Sequence, residues 1–229
     1  MRDSTVNAHW ITNFPPSYPL HKKIIANLIY FLTGIVIHPR KNLLNHQDLL
    51  QARIKLRRGD IVLLGNLRET SAYFIQGAVT HAAFYLGRRL FIHAAGDGVT
   101  YVSLHRIFTD YDTMALLRLP SSVAERKTII NQALAYAQGQ LGRPYDFEFT
   151  KGLGKIFCTE LINESFKHAG HDTCLKTFQP AKSFEERILK LITRASLALR
   201  PEKFLESNFE LVFLSHNLRL KKKLVLKWH

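Results

Sequence analysis

Residues 59–120 contain a closely spaced series of short apolar runs, and this series restricts the fold more than any other feature of the chain. The runs are GDIVLLG, THAAFYLG, LFIHAA, VTYVSL and TMALLRLP, and turn sequences such as GRR and GDG separate them. Short runs rich in β-branched and aromatic residues, bounded by turn residues, indicate strands. The segment therefore predicts about five strands that pair as an antiparallel meander.

Helical patterns precede, interrupt and follow these strands. One of them, residues 121–142, has Ser122 and Glu125 at the spacing of a capping box and Gly142 as a stop signal. The order of elements predicts an α+β domain over residues 56–215. Its flanks are an N-terminal extension with an apolar helix (1–55) and a basic tail (216–229). The other predicted elements are helices at 42–56, 69–78, 158–170 and 184–199, the last within a helical insertion at about 181–200, and a closing strand at 209–215.

The charge of the chain favours an anionic partner. The formal net charge is +14 over 229 residues. A strongly basic surface attracts nucleic acid, anionic lipid or acidic polymers. The basic residues are scattered, and neither a zinc-finger spacing nor an RNA-binding aromatic motif accompanies them, so nucleic-acid binding is disfavoured as the main function.

The run IIANLIYFLTGIVI, residues 24–37, has two interpretations. Lys22 and Lys23 precede it, and Arg40 and Lys41 follow it. It is shorter than the ~20 residues that a spanning helix needs, and it lacks the features of a cleavable signal peptide. We therefore expect either a helix packed on the core or an interfacial helix in peripheral contact with an anionic membrane. The expected location is cytoplasmic or membrane-associated.

Cys158 is the residue on which a functional interpretation depends. The chain has two cysteines, so it has no disulfide framework. Cys158 begins the helical pattern CTELINESFKHAG, where the helix dipole and unpaired N–H groups would stabilise a thiolate. A cysteine on a helix is otherwise a small core residue. The choice depends on whether a histidine can reach the thiol.

His81 and His93 are the candidate partners, since each interrupts an apolar strand. If Gly87-Arg88-Arg89 forms a three-residue loop, Ala83 pairs with His93, and His81 lies diagonal to His93 on the same face of the sheet. A two-residue loop would put the two rings on opposite faces. In the first register His81 can act as general base and His93 can orient it. In the alternative, both rings only satisfy backbone carbonyls.

These motifs, together with QLGRPYDFEF, resemble those of papain-like NlpC-type cysteine hydrolases. Their order resembles the circularly permuted YiiX/YebB-like branch, which is related to lecithin–retinol acyltransferases and in which the His strand precedes the Cys helix. The resemblance implies a permuted papain-like fold, with an antiparallel sheet packed against helices that include the Cys helix. It also implies Cys158 as nucleophile, His81 as base and His93 in the orienting position, which is often Glu in bacterial members. Tyr145 would line the site or help to stabilise an oxyanion.

The expected activity is that of a cysteine hydrolase, a peptidase or amidase that forms a thioester acyl-enzyme. A peptide or cell-wall peptide is the favoured substrate. A lipid acyl ester, cleaved or transferred at a membrane, is the alternative. A non-enzymatic basic module that binds membranes or partners is a third interpretation. No cofactor is expected, and zinc at His168, His171 and Cys174 is disfavoured because Gly170 interrupts their helix.

Overall fold

The computed structural model describes residues 10–33, 43–67, 78–147, 154–175, 201–221 and 223–227. They form an α+β protein. In chain order the elements are α1 (Leu20–Thr33), α2 (His46–Lys55), β1 (Ile61–Gly65), β2 (His81–Gly87), β3 (Leu90–Ala95), β4 (Gly98–Ser103), α3 (Leu104–Asp110), β5 (Thr113–Arg118), α4 (Arg126–Gly139), α5 (Cys158–His168), a 3₁₀ helix (Pro201–Glu206), β6 (Glu210–Leu214), β7 (Leu218–Leu220) and β8 (Leu224–Leu226).

One six-stranded sheet has the order β4-β3-β2-β1-β5-β6, and every pair in it is antiparallel. The prediction of a simple meander is therefore wrong for β5. That strand crosses over and pairs with β1, and the predicted closing strand β6 pairs with β5. The helix α3 between β4 and β5 makes the crossover, because a two-residue turn would have kept β5 next to β4.

Both faces of the sheet are covered, which explains why the central strand β1 is apolar at almost every position. On one face, Leu63 and Phe84 join a core that includes Leu134 of α4 and Leu161 of α5. The strand residues that alternate with these point to the other face, where they form a second core with α2 and α3. The helix that begins at Cys158 is therefore held against the middle of the sheet, where it packs on β2 and β3.

The turn between β2 and β3 differs from the predicted three-residue loop. Arg88 and Arg89 form a two-residue turn with positive φ values of 51° and 62°, and Gly87 pairs with Leu90. A β-bulge between Tyr85 and Gly87 then shifts the register by one residue. Beyond the bulge, Phe84 pairs with Ile92, which is the register that the prediction required.

The predicted start of the helix at residues 121–142 is wrong. The helix α4 begins at Arg126, and Glu125 precedes it in a left-handed conformation with no side-chain cap. The backbone N–H of Val123 donates to the carbonyl of Pro120, so these residues form a turn in place of the capping box at Ser122. The helices predicted at 69–78 and 184–199, and with them the insertion at 181–200, lie largely or wholly outside the described residues.

The flanks of the predicted domain contain ordered elements. The helix α1 covers residues of the predicted apolar run up to position 33, and the rest of that run lies outside the described residues. Among the helices that the structure describes, none combines the length and the apolar character needed to cross a bilayer. Part of the predicted basic tail forms the hairpin β7–β8, which the sequence did not predict. The division into segments at residues 56 and 215 stays a prediction.

Candidate active site

Cys158 lies at the first residue of α5, where a buried helix meets the sheet. Phe157 ends the preceding segment in an extended conformation, and the helix then places Leu161, Ile162 and Phe166 in the core. The predicted apolar face of this helix is thereby confirmed. Since Phe166 packs against Phe84 of β2, with ring centroids 5.2 Å apart, the orientation of the helix is set by the core. Cys158 is 3% exposed.

Backbone N–H groups surround this thiol. Burial raises the pKa of Cys158 to about 11, although hydrogen bonds from the N–H groups of Ala82, Thr159 and Cys158 itself act in the opposite direction. Ala82 follows His81 in β2 and lies before Phe84–Ile92, the first residue pair between β2 and β3, so β3 does not use its N–H. Its N–H is therefore available to the sulfur. The thiol thus lies beside the strand that carries His81, and it is neutral at pH 7.

The structure brings His81 and His93 together, as the favourable register predicted. Nε2 of His81 lies 2.9 Å from Nδ1 of His93, and the rings meet edge to face with centroids 5.0 Å apart. Burial, and secondarily the charge of His93, lowers the pKa of His81 well below its usual value. Burial, assisted by the charge of Arg106 and partly opposed by that of Asp110, lowers the pKa of His93 to about 4. Both imidazoles are consequently neutral near pH 7.

A hydrogen bond between two neutral imidazoles fixes their tautomers relative to each other. Either His81 donates from Nε2 and keeps Nδ1 as an acceptor, or His93 donates and Nδ1 of His81 carries a proton. Only the first arrangement leaves His81 able to accept a proton from a thiol. In that arrangement His93 accepts at Nδ1 and carries its own proton on Nε2.

Tyr145 reaches the same site from the segment that precedes α5. It forms an isolated parallel bridge with Ile156, and its ring packs edge-on against Phe147 with centroids 4.9 Å apart. Burial raises the pKa of the Tyr145 hydroxyl well above its usual value, and nearby Cys158 is the largest of the charges that raise it further. The hydroxyl therefore stays protonated close to the sulfur, where it can donate a hydrogen bond.

Two residues of this site were not predicted from the sequence. Tyr111 stacks on His81 with ring centroids 5.8 Å apart and an interplanar angle of 9°. It follows α3, and no spacing signal relates it to His81, because the crossover to β5 brings it there. Glu160 was expected to cap the helix or to pair on the surface, but it is buried, with Oε2 lacking a hydrogen-bond partner among the described residues.

Glu160 is nevertheless a capping residue. Its carboxylate accepts the N–H of Phe157, although burial and, to a lesser extent, Asp146 raise the pKa of Glu160 to about 7. The signal that could have identified it is its position at the third residue of the helix. The missing information was that the first turn of α5 is buried.

A buried ion pair braces the segment that carries Tyr145. Nζ of Lys155 lies 3.2 Å from Oδ1 of Asp146, and both side chains are almost completely buried. The same ammonium lies 4.7 Å from the ring centroid of Tyr18 in the N-terminal segment. Asp146 is therefore a bracing residue, as the sequence indicated, and it ties Tyr145 to the N-terminal segment and to the approach to α5.

The candidate zinc ligands are separated by other contacts. His168 packs on Tyr136 with ring centroids 4.7 Å apart, and His171 lies 3.1 Å from Nδ2 of Asn208. Cys174 is exposed, in contrast to Cys158. Within the described ranges no three or more His, Cys, Asp or Glu side chains are grouped to hold a metal ion.

Comparisons with known proteins bear on the fold and the family of this chain. No curated protein matches the sequence significantly. A solved structure, that of metalloprotein yiiX from Escherichia coli O157:H7, superposes with a TM-score of 0.54 at 20% identity, over 69% of this chain and 97% of that chain. At this identity the likeness shows the fold alone. The model of the permuted papain-like amidase enzymes, YaeF/YiiX, matches residues 55–208, which is about two thirds of the sequence. The chain therefore belongs to this family, the permuted papain-like amidases of the C92 type.

Proposed function

We propose that this amidase cleaves a peptide amide, such as that of a cell-wall peptide, through a thioester formed on Cys158. The observation that carries the proposal is the contact of 2.9 Å between Nε2 of His81 and Nδ1 of His93, beside a thiol that takes the N–H of Ala82. In the proposal Cys158 is the nucleophile, His81 the base and His93 the orienting group.

In the first step Sγ of Cys158 attacks the carbonyl carbon, and Nδ1 of His81 accepts the thiol proton. Nδ1 of His93 accepts the hydrogen bond from Nε2–H of His81, which holds the ring of His81 and stabilises the imidazolium that forms. The carbonyl oxygen becomes an oxyanion. The hydroxyl of Tyr145 and the N–H groups of the first turn of α5 are the donors that can stabilise it. The proton on His81 then passes to the leaving amine as the C–N bond breaks.

In the second step a water molecule attacks the thioester. His81 accepts a proton from the water, a second tetrahedral intermediate forms, and its collapse releases the carboxylic acid. His81 returns the proton to the sulfur, which restores the neutral thiol. The neutral resting state of both imidazoles supports this scheme, since His81 must be unprotonated to act as a base in each step.

A lipid acyl ester is the second candidate substrate, and one observation favours it. The helix α1 exposes large apolar side chains and packs beside the Tyr145 segment, so a lipid substrate would approach the site along an apolar surface. The same thiol chemistry would release an alcohol or transfer the acyl group to another acceptor.

Trapping the acyl-enzyme tests the proposal and separates the two substrates. The Cys174→Ser protein is incubated with a peptide pool or a phospholipid pool, and intact and peptide mass spectra are recorded before and after hydroxylamine, which cleaves thioesters. We expect a hydroxylamine-labile adduct on Cys158 from the peptide pool, absent in Cys158→Ala and strongly reduced in His81→Ala.

An adduct from the phospholipid pool alone would replace the amide substrate by the lipid ester. Turnover of either pool by Cys158→Ala would contradict the assignment of Cys158 as the nucleophile. Full adduct formation in His81→Ala, with unchanged rate, would contradict the assignment of the base.

A further inference from the structure

The helix α1 presents an apolar face to solvent. Its large apolar side chains with an exposed fraction of 46% to 73% are Leu20, Ile24, Ile25, Leu28, Phe31 and Leu32. At 100° per residue these positions fall within one arc of about 140° of the helix surface. Scattered exposed apolar residues are common, but a continuous stripe of this size marks an interaction surface.

The opposite face holds α1 to the rest of the protein. Asn27 accepts the N–H of Ile11 at 2.7 Å and donates to the carbonyl of the same residue at 3.1 Å. Ala26 packs in a small core with Ile11 and Phe147. The ring of Tyr30 occupies the space where a Cβ at Gly96 would lie. The outward direction of the apolar stripe is thus determined by buried contacts on the other side of the helix.

The sequence around the stripe is cationic and lacks acidic residues. Residues 4–47 contain Lys22, Lys23, Arg40 and Lys41 but no Asp or Glu, although the whole chain has 18 acidic residues. Lys22 and Lys23 are half-buried and lie about 60° beyond the two edges of the stripe, where long side chains can reach past an apolar surface to charged groups. Trp10, 65% exposed, lies beside the middle of the helix because its neighbour Ile11 pairs with Asn27.

We propose that α1 docks in the interface of an anionic phospholipid bilayer, with its apolar stripe in the acyl region and Lys22 and Lys23 at the headgroups. An apolar stripe bounded by lysines, with an aromatic side chain at the same level, is the pattern of an interfacial helix. A protein partner of neutral or basic character would not use the cations. The absence of acidic residues over the whole segment favours an anionic surface of large extent.

The position of α1 relates this surface to the active site. Tyr30 of α1 meets Phe147 edge-on with centroids 6.4 Å apart, and Phe147 meets Tyr145 in the same manner. Docking would therefore hold the Tyr145 side of the Cys158 site near the bilayer surface. This second statement rests on the proposed function, whereas the docking itself does not depend on catalysis.

Vesicle sedimentation with the full-length Cys158→Ser protein tests the docking without turnover. The probes are vesicles of phosphatidylcholine alone and of phosphatidylcholine mixed with phosphatidylglycerol. We expect binding to the mixed vesicles that weakens with salt, and a fall of about tenfold or more in the partition coefficient for Leu28→Glu. Replacing Lys22 and Lys23 by Gln should reduce binding to the mixed vesicles by about fivefold per lysine.

Ile54→Glu is the matched control, since Ile54 is 76% exposed on the different helix α2. It should bind vesicles as the parent does. Equal binding by Leu28→Glu and the parent, or equal loss in Leu28→Glu and Ile54→Glu, would overturn the proposal. Two results in the absence of lipid would also overturn the proposal. The first is a parent protein that is dimeric and a Leu28→Glu variant that is monomeric, since the stripe would then bind a second copy. The second is a melting temperature of Leu28→Glu far below that of Ile54→Glu, since Leu28 would then be part of the fold.

The consequence for the active site is measured separately in the protein that retains Cys158. Leu28→Glu should acylate with the soluble ester p-nitrophenyl acetate at the parental rate, and this reaction should be lost in Cys158→Ala. In the parent protein, an absence of acylation together with intact vesicle binding would contradict the proposed function and leave the docking in place. Acylation of the parent protein without vesicle binding would contradict only the docking.

Discussion

Replacing His93 separates its function as a hydrogen-bond acceptor from its function as part of the core. His93→Leu keeps a side chain of similar size but offers no acceptor to Nε2 of His81, which lies 2.9 Å from Nδ1 of His93. His93→Asn keeps an oxygen close to the place of Nδ1. Without an acceptor, the proton of His81 is free to move to Nδ1, and the ring then cannot accept the proton of Cys158.

The size of the effect follows from the burial of this contact. A buried donor without a partner costs about 1–3 kcal/mol, and about 1.4 kcal/mol changes a rate tenfold, so His93→Leu should slow acylation of Cys158 by about 5- to 150-fold. In His93→Asn the acceptor is retained, and the rate should stay within about threefold of the parent because the loss is below about 0.7 kcal/mol.

The assay is the single-turnover release of nitrophenolate from p-nitrophenyl acetate in the Cys174→Ser background, with thermal unfolding measured in parallel. The melting temperatures of the two variants control for damage to the core. Equal rates in the Leu and Asn variants, whether parental or reduced, would show that acceptance at this position does not orient the base.

Three further changes test the electrostatics around the site. Since burial raises the pKa of Cys158 to about 11, its alkylation by iodoacetamide should accelerate about tenfold per pH unit between about 7 and 9, and a plateau in this interval would contradict a neutral thiol. Burial raises the pKa of Glu160 from 4.5 to about 7, so this carboxyl stabilises the fold below pH 4.5 and loses its contribution, up to about 3 kcal/mol, as the pH rises to 7. Glu160→Gln should remove that loss. In urea unfolding at a series of pH values, the free energy of unfolding of the variant minus that of the parent should therefore grow between pH 4.5 and 7. A constant difference would contradict the raised pKa of Glu160. Lys155→Met removes the buried countercharge of Asp146 and should lower the free energy of unfolding by about 3–5 kcal/mol. Lys167→Met, which breaks an exposed pair with Glu164, should change it by less than about 1 kcal/mol, and similar losses in the two variants would argue against the buried pair.

The strands and the Cys helix could be predicted because their local patterns and their environments agree. Runs such as Ile61–Gly65 are apolar on both faces and are bounded by turn residues, and α5 places apolar residues on one face only. The connection to β5 could not be predicted from local pattern, because the position of β5 beside β1 depends on which sheet edge is free after α3 forms. The same crossover carries Tyr111 to His81, so the sequence contains no spacing that relates these two rings.

The contact between His81 and His93 was predicted correctly, although the predicted length of the loop between their strands was wrong. The expected three-residue loop at Gly87 is a two-residue turn, which by itself would put the two rings on opposite faces of the sheet. The bulge at Leu86 leaves one further residue unpaired. From Phe84 onward the strands therefore pair in the register that the three-residue loop would have given. Parity depends only on the total number of unpaired residues between two positions. A prediction of shared face can therefore be right without the turn type being known.

The electrostatics of the site depend on burial that no local pattern reveals. A helix start was expected to favour a thiolate at Cys158, and three backbone N–H groups do act in that direction. Burial acts more strongly and raises the pKa to about 11, so the thiol is protonated at pH 7. The pKa values of the thiol and of His81 move apart, and a resting ion pair is disfavoured. In the proposed mechanism, proton transfer to His81 therefore accompanies attack on a carbonyl that is already bound. We therefore expect the thiol to react slowly at pH 7 until a substrate fills the site, and the acceptor that holds His81 in its basic tautomer to control the rate of acylation.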